Sequence, residues 1–109
     1  FNLDNVDFTQ KELKKNSSVF WLNSIYFEKL SKEKIRKLGK RLKSLGIEVR
    51  SGFWPLNTLK CFKSVYFTKK NITKKIFEKS LILPSSYDLS IKDIKYIKNK
   101  IGKLIKNLK

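Results

Sequence analysis

The sequence contains no histidine and a single cysteine, Cys61. Histidine is the side chain that ordinarily titrates nearest neutral pH and a frequent metal ligand, so His-based acid–base catalysis and His metal sites are excluded. One thiol cannot close an internal disulfide, a pattern that fits a reducing cytoplasm. Without a histidine partner a thiol nucleophile is implausible, and Cys61 beside Phe62 is expected to be a small core residue. Gly39, Gly46, Gly52 and Gly102 are isolated from one another, so there is no glycine loop to cradle a phosphate. No apolar run approaches the roughly 18 residues that a membrane span requires, and the N-terminus carries no secretory pattern. The acidic residues form no pair in a pocket-like context, and Glu28, Glu33 and Glu48 read as ordinary helix or strand-end charges. Read by itself, the chain carries no catalytic constellation and looks like a binding or structural domain.

What is present is enough for one folded domain. The length of 109 residues, with 40% hydrophobic and 13% aromatic side chains, supports a real core. The chain opens on Phe1 rather than Met, as expected of a piece of a longer gene product or of a chain that has lost a tag. Its 26 basic and 9 acidic residues give a formal charge of +17. Such a charge would suit nucleic acid or an anionic membrane surface. Yet only Arg36, Arg41 and Arg50 are arginine. Dedicated nucleic-acid readers favour arginine, whose planar fork pairs bidentately with phosphate and guanine. Abundant Lys, Asn and Ile together also match the usage of an AT-rich genome. Solvated, lysine-rich helix faces are therefore the expected reading, with no membrane partner. A stand-alone basic module for nucleic acid or another polyanion is the alternative.

Residues 1–17 are polar and poorly periodic, and read as a lead-in segment with at most a short helical turn around Lys11–Lys15. Residues 19–27, rich in β-branched and aromatic side chains, predict a largely buried strand. Ser31 offers an N-cap, and Ile35, Leu38, Leu42 and Leu45 form one apolar stripe, closed by Gly46 where a left-handed cap is expected. Ile47–Arg50 alternates as a short strand. Gly52 and Pro55 then break regular structure and leave Phe53 and Trp54 on a loop. An irregular or short helical stretch continues through Leu59, Phe62, Val65, Tyr66 and Phe67. Asn71 can cap a helix carrying Ile72, Ile76 and Phe77, and Leu81–Leu83, halted by Pro84, suits a brief strand. Ser90 and Asp93 form a capping box before a helix whose apolar face is Ile94, Ile97, Ile101, Leu104, Ile105 and Leu108. The order strand–helix–strand–loop–helix–strand–helix predicts an α/β (α+β) domain, a small sheet with helices packed on it. The predicted core is Phe20, Leu22, Ile35, Leu38, Leu42, Ile47, Val49, Ile82, Ile94, Ile97 and Ile101.

Two segments carry a further signal. Gly46-Ile47-Glu48-Val49-Arg50, followed by Phe53-Trp54-Pro55-Leu56-Asn57, resembles a signature of the DegT/DnrJ/StrS-type aminotransferases, commonly G-I-E-T-R, an aromatic pair, then P-L-H. Lys79 to Ser86, with Leu89-Ser90 before the last helix, resembles the closing L-x-L-P-S segment and terminal D-I-x-x-I helix of the same family. The resemblance covers about residues 18–108 and implies that 18–109 form the C-terminal small domain of a fold-type-I enzyme. Such enzymes move an amino group from glutamate to a keto sugar on a nucleotide, in cell-surface polysaccharide or amino-sugar biosynthesis. Pyridoxal 5'-phosphate (PLP) forms a Schiff base with a lysine of the large domain in that family. The large domain would lie N-terminal to Phe1, and no lysine here matches that position, so the resemblance names no catalytic or cofactor-binding residue in this chain. It implies that the segment from Arg50 to Asn57 faces the substrate, often across a homodimer interface, with Arg50, Trp54 and Asn57 as substrate-binding residues. Asn57 stands where the family usually has histidine, keeping hydrogen bonding but losing titration. Read from the residues alone, Arg50 fits either a phosphorylated ligand or a surface salt bridge with Glu48, and Trp54 fits either a site wall or core packing. A relic or interaction domain that kept the fold without the activity remains a further alternative.

Overall fold

The structure, a computed structural model, describes residues 6–8, 21–62 and 72–108. Strand β1 (Val6–Phe8) is followed by β2 (Asn23–Phe27), helix α1 (Lys32–Ser44), β3 (Arg50–Ser51), two 3-10 turns (Leu56–Thr58 and Lys60–Phe62), α2 (Ile72–Lys79), β4 (Ser80–Leu83) and α3 (Ile91–Lys106). The four strands form one antiparallel sheet in the order β1-β2-β4-β3. The α+β architecture expected from the sequence is therefore observed. It gains one strand, since β1 lies inside the segment read as a lead-in and pairs Val6 with Phe27 and Phe8 with Ile25. The helical turn expected at Lys11–Lys15 lies outside the described residues, as do Val19, Phe20 and the Asn71 cap.

Register explains the two faces of the sheet. In antiparallel strands, residues directly opposite share a face and successive residues alternate. Ile25 opposite Leu81 and Asn23 opposite Leu83 define one face. Ile25, Phe27, Leu81 and Leu83 there form the core with Ile35, Leu38 and Leu42 of α1 and Ile97 and Ile101 of α3. The opposite face carries Ser24, Tyr26, Ser80, Ile82 and Arg50, with Arg50 directly opposite Ile82. Ile82 is itself buried, and the rim of this second face exposes Trp21, Phe53 and Trp54.

Helix α1 starts and stops by the predicted chemistry. The Ser31 hydroxyl accepts the Lys34 N–H at 3.3 Å. At the other end Gly46 takes φ +77°, its N–H donates to the Lys43 carbonyl and the Ile47 N–H donates to the Leu42 carbonyl, both at 3.0 Å. This is a Schellman closure, and the apolar contact that accompanies it comes from Ile47 and Leu42 in the same core. Leu45, expected in the apolar stripe, sits at the cap instead and is partly exposed. Gly39 lies inside the helix, and a Cβ there would meet Leu81 Cδ2 at 3.6 Å and Val49 Cγ2 at 3.7 Å, ordinary contact distances. Gly39→Ala should therefore stabilise the fold by about 0.5–1 kcal/mol through helix propensity and lost chain freedom, read as a raised urea midpoint. A lowered midpoint would mean that α1 has no room for the methyl group against the sheet.

Ile47 and Val49 are buried as predicted, but strand pairing begins only at Arg50, opposite Ile82, and ends at Ser51, opposite Leu81. The two apolar residues enter the core on an extended approach to the sheet rather than as rungs of its ladder. Helix α3 opens on the predicted capping box: the Ser90 hydroxyl accepts the Asp93 N–H, and Asp93 Oδ2 accepts the Ser90 N–H and hydroxyl. Those bonds to Ser90 hold the Asp93 carboxyl below the usual carboxylate range. Ile94 is a correction to the predicted core. It is 43% exposed, because residues 91–96 all face solvent and α3 meets the core only from Ile97 onward. Leu22 is half-buried rather than fully so, and Cys61 is exposed on the second 3-10 turn instead of filling the core. Among the described residues no helix is long and apolar enough to cross a membrane, and no group of His, Cys, Asp and Glu could hold a metal ion.

Candidate functional site

Site geometry begins with the segment that leaves α1 and crosses the sheet edge. Ile47 and Val49 anchor it in the core, so Glu48 between them and Arg50 after them are driven outward by alternation. Arg50 Nε and Nη2 donate to Glu48 Oε1 at 3.3 and 3.2 Å. Their side chains are 77% and 72% exposed. An ion pair that wet contributes little to stability and leaves the guanidinium free to exchange partners. The surface salt bridge was one of the two readings open for Arg50. It is present, and it coexists with a position on the wall of a groove.

That groove has a volume of about 540 Å³ and runs over the second face of the sheet. Arg50, Phe53 and Trp54 form one side, Ile82 the floor, and Trp21 with Ser85 the other side. Ser85 lies in the Leu83-Pro84-Ser85 segment, and its hydroxyl donates to the Trp21 carbonyl at 2.6 Å, tying together the chain segments on that rim. Pro55 is fully buried and fixes the loop to the sheet edge, while its neighbours Phe53 and Trp54 remain 69% and 64% exposed. Rigid attachment with open aromatics is the arrangement by which loops present binding surface.

Trp54 is not bare on all sides. Its ring lies 4.5 Å from that of Phe77 on α2, tilted by 36°. The contact fixes the indole between the groove above Ile82 and a second groove of about 370 Å³ between α1 and α2. Lys32 Nζ donates to Glu78 Oε1 at 2.8 Å across that second groove. This hydrogen bond and the nearby ammonium hold the Glu78 carboxyl below the usual carboxylate range. Ser80 Oγ is buried at the same place with no hydrogen-bond partner among the described residues.

Of the three residues singled out in the sequence, the structure therefore brings Arg50 and Trp54 to one groove. Asn57 lies on the first 3-10 turn, exposed and outside that groove. Sequence reasoning missed Trp21, Ile82 and Ser85 as groove walls and Phe77 as the support of Trp54. The strand signal around Trp21 pointed to burial, and no local pattern reports a pairing of residues 54 and 77. Among the described residues no lysine lines the groove beside Arg50, so these residues do not by themselves fit PLP, which requires a Schiff-base lysine.

Comparison with known proteins matches this geometry to one fold. A protein of Streptococcus pneumoniae assigned as a sugar aminotransferase, solved in PLP and PMP forms, superposes with TM-score 0.82 at 21% identity, over 96% of this chain and 27% of its own. The aminotransferase TlmJ from Streptoalloteichus hindustanus superposes with TM-score 0.83 at 14% identity, over 98% of this chain and 28% of its own. Helicobacter pylori PseC, an aminotransferase involved in the biosynthesis of pseudoaminic acid, gives TM-score 0.69 at 13% identity over 79% of this chain and 24% of its own. The chain thus spans about a quarter of the length of these structures. No curated protein matches it. The sequence model described as the DegT/DnrJ/EryC1/StrS aminotransferase family matches residues 2–102, nearly the whole chain and including β1, and the chain belongs to that family.

Proposed function

We propose that this chain is the C-terminal small domain of a PLP-dependent aminotransferase acting on nucleotide-linked keto sugars, and that it closes one side of the substrate cleft. The observation that carries the reading is the groove over Ile82, with Arg50 and Trp54 on one wall. A guanidinium at the end of a short strand can pair bidentately with a phosphate or carboxylate, and an exposed indole offers apolar surface to a sugar or base. Family membership and the sugar aminotransferases among the structural neighbours support the same substrate class. When bound, PLP would supply the carbonyl chemistry that carries the amino group from glutamate to the keto carbon. Its lysine would come from a large domain, and a second copy of the protein would complete the cleft. Asn57, on the adjoining turn, would reach substrate only through a hydrogen bond, since its amide holds no titrating proton.

The reading makes a paired prediction. The protein that carries this chain together with a large domain, given PLP, glutamate and a nucleotide-linked keto sugar, should release 2-oxoglutarate and the amino sugar. Residues 1–109 alone should do neither, and borohydride reduction after incubation with PLP should leave only scattered, substoichiometric adducts on surface lysines. One adduct per chain at a single lysine of residues 1–109 would overturn the assignment.

A further inference from the structure

The helix layer poses a question that the groove does not answer. Helices α1 and α3 lie side by side on the core face of the sheet, and Tyr96 of α3 donates its hydroxyl to the Leu45 carbonyl at the end of α1. Helix α1 carries seven lysines and arginines against Glu33 alone, and α3 six lysines against Asp93 alone. The surpluses of six and five place eleven of the chain's net +17 on one layer. Asp93 is also folded back onto Ser90 in the capping box.

Against the expectation of solvated helix faces with no membrane partner, we propose that the outer face of this layer docks on an anionic phospholipid bilayer, with the groove between α1 and α3 as its headgroup seat. The groove has a volume of about 560 Å³. Lys37, Lys40 and Arg41 form its α1 wall, at the i, i+3, i+4 spacing that puts them on one helix face. None of the three has an acidic partner among the described residues. Leu104 near the end of α3 and Leu108 just past it, both half-buried against the core, form the other wall. A cationic row facing an apolar row matches a phosphate headgroup with the start of its acyl chain, while lysine stems lie along apolar surface with their ammonium ends at the phosphates.

The same features disfavour nucleic acid. Lysine predominates over the arginine fork, no aromatic among the described residues lines the groove for a base to stack on, and Tyr96 is tied to Leu45 with Lys100 over its ring. A phosphate polymer would also have no use for the leucine wall. Docking here leaves the Arg50 groove free, because the two lie on opposite faces of the sheet.

Co-sedimentation with phosphatidylcholine vesicles, with and without phosphatidylglycerol, tests the proposal. The chain should bind only the anionic vesicles, and Lys37→Glu/Lys40→Glu/Arg41→Glu should weaken binding by at least about a hundredfold, the product of roughly fivefold for each cation lost at an anionic leaflet, before the repulsion of the new carboxylates. The charge-matched variant Lys29→Glu/Lys74→Glu/Lys75→Glu should lose far less, with circular dichroism confirming that both variants fold. Equal losses in the two variants would overturn the site, leaving net charge alone. Binding to phosphatidylcholine alone, displacement by inorganic phosphate at matched ionic strength, or binding to duplex RNA without binding to anionic vesicles would each overturn it as well.

Discussion

Leu38→Ala should lower the unfolding free energy by about 2–5 kcal/mol, the range for a large-to-small change at a site that cannot collapse around the missing atoms. Leu38 is 1% exposed at the middle of α1, between Ile35 and Leu42, and it belongs to the cluster that includes Leu81 and Val49. Alanine is at least as good a helix former as leucine, so the loss would come from packing and not from helix propensity. Ile97, where α3 first enters the core, is 7% exposed and should show a loss in the same range. Urea denaturation would report both as lower midpoints at unchanged slope. For a domain with a total stability of about 5–15 kcal/mol, either change is a large share. Costs below about 1 kcal/mol at both positions would mean that α1 and α3 do not meet the sheet through these residues.

Those two helices were also the most legible part of the sequence, for a physical reason. The 3.6-residue stripe can be read within one segment, and a serine at each N-cap and a glycine past the end of α1 are each satisfied by atoms within four residues. The strands were less legible because pairing is a property of two segments. Val6–Phe8 has three residues and no alternation long enough to stand out, yet it closes one edge of the sheet because Phe27 and Ile25 offer it a partner. Ile47 and Val49 alternate like strand residues and are buried, but the ladder starts one residue later, where Ile82 is within reach. Ile94 fits the apolar period of α3 and still faces solvent, since period alone does not say where along its length a helix meets the sheet. For the candidate site, the loop breakers Gly52 and Pro55 correctly placed Phe53 and Trp54 in the open. The far wall from Trp21 to Ser85 depends on a register between β2 and β4 that no local pattern encodes.

On the proposed function, Arg50→Ala made in a protein that carries this chain together with a large domain should weaken binding of a nucleotide-linked sugar by about 1.5–3 kcal/mol, the usual worth of a hydrogen bond to a charged group. That corresponds to roughly a 10- to 150-fold rise in Kd. Among the described residues the guanidinium is held by Glu48, two residues away, with both side chains largely exposed. Turning it toward a ligand phosphate therefore gives up little, and the new pair would form beside Ile82 and Trp54. Arg50→Lys should recover only part of the loss, because an ammonium keeps the charge but not the two parallel N–H donors. Arg41→Ala is the matched control: it removes the same side chain from the helix layer on the opposite face of the sheet and should leave nucleotide-sugar binding in solution unchanged. Titration of substrate into the pyridoxal form of each variant separates the outcomes. If Arg50→Ala and Arg41→Ala bound substrate equally well, Arg50 would be one more surface charge, and the groove over Ile82 would lose its anion-binding wall.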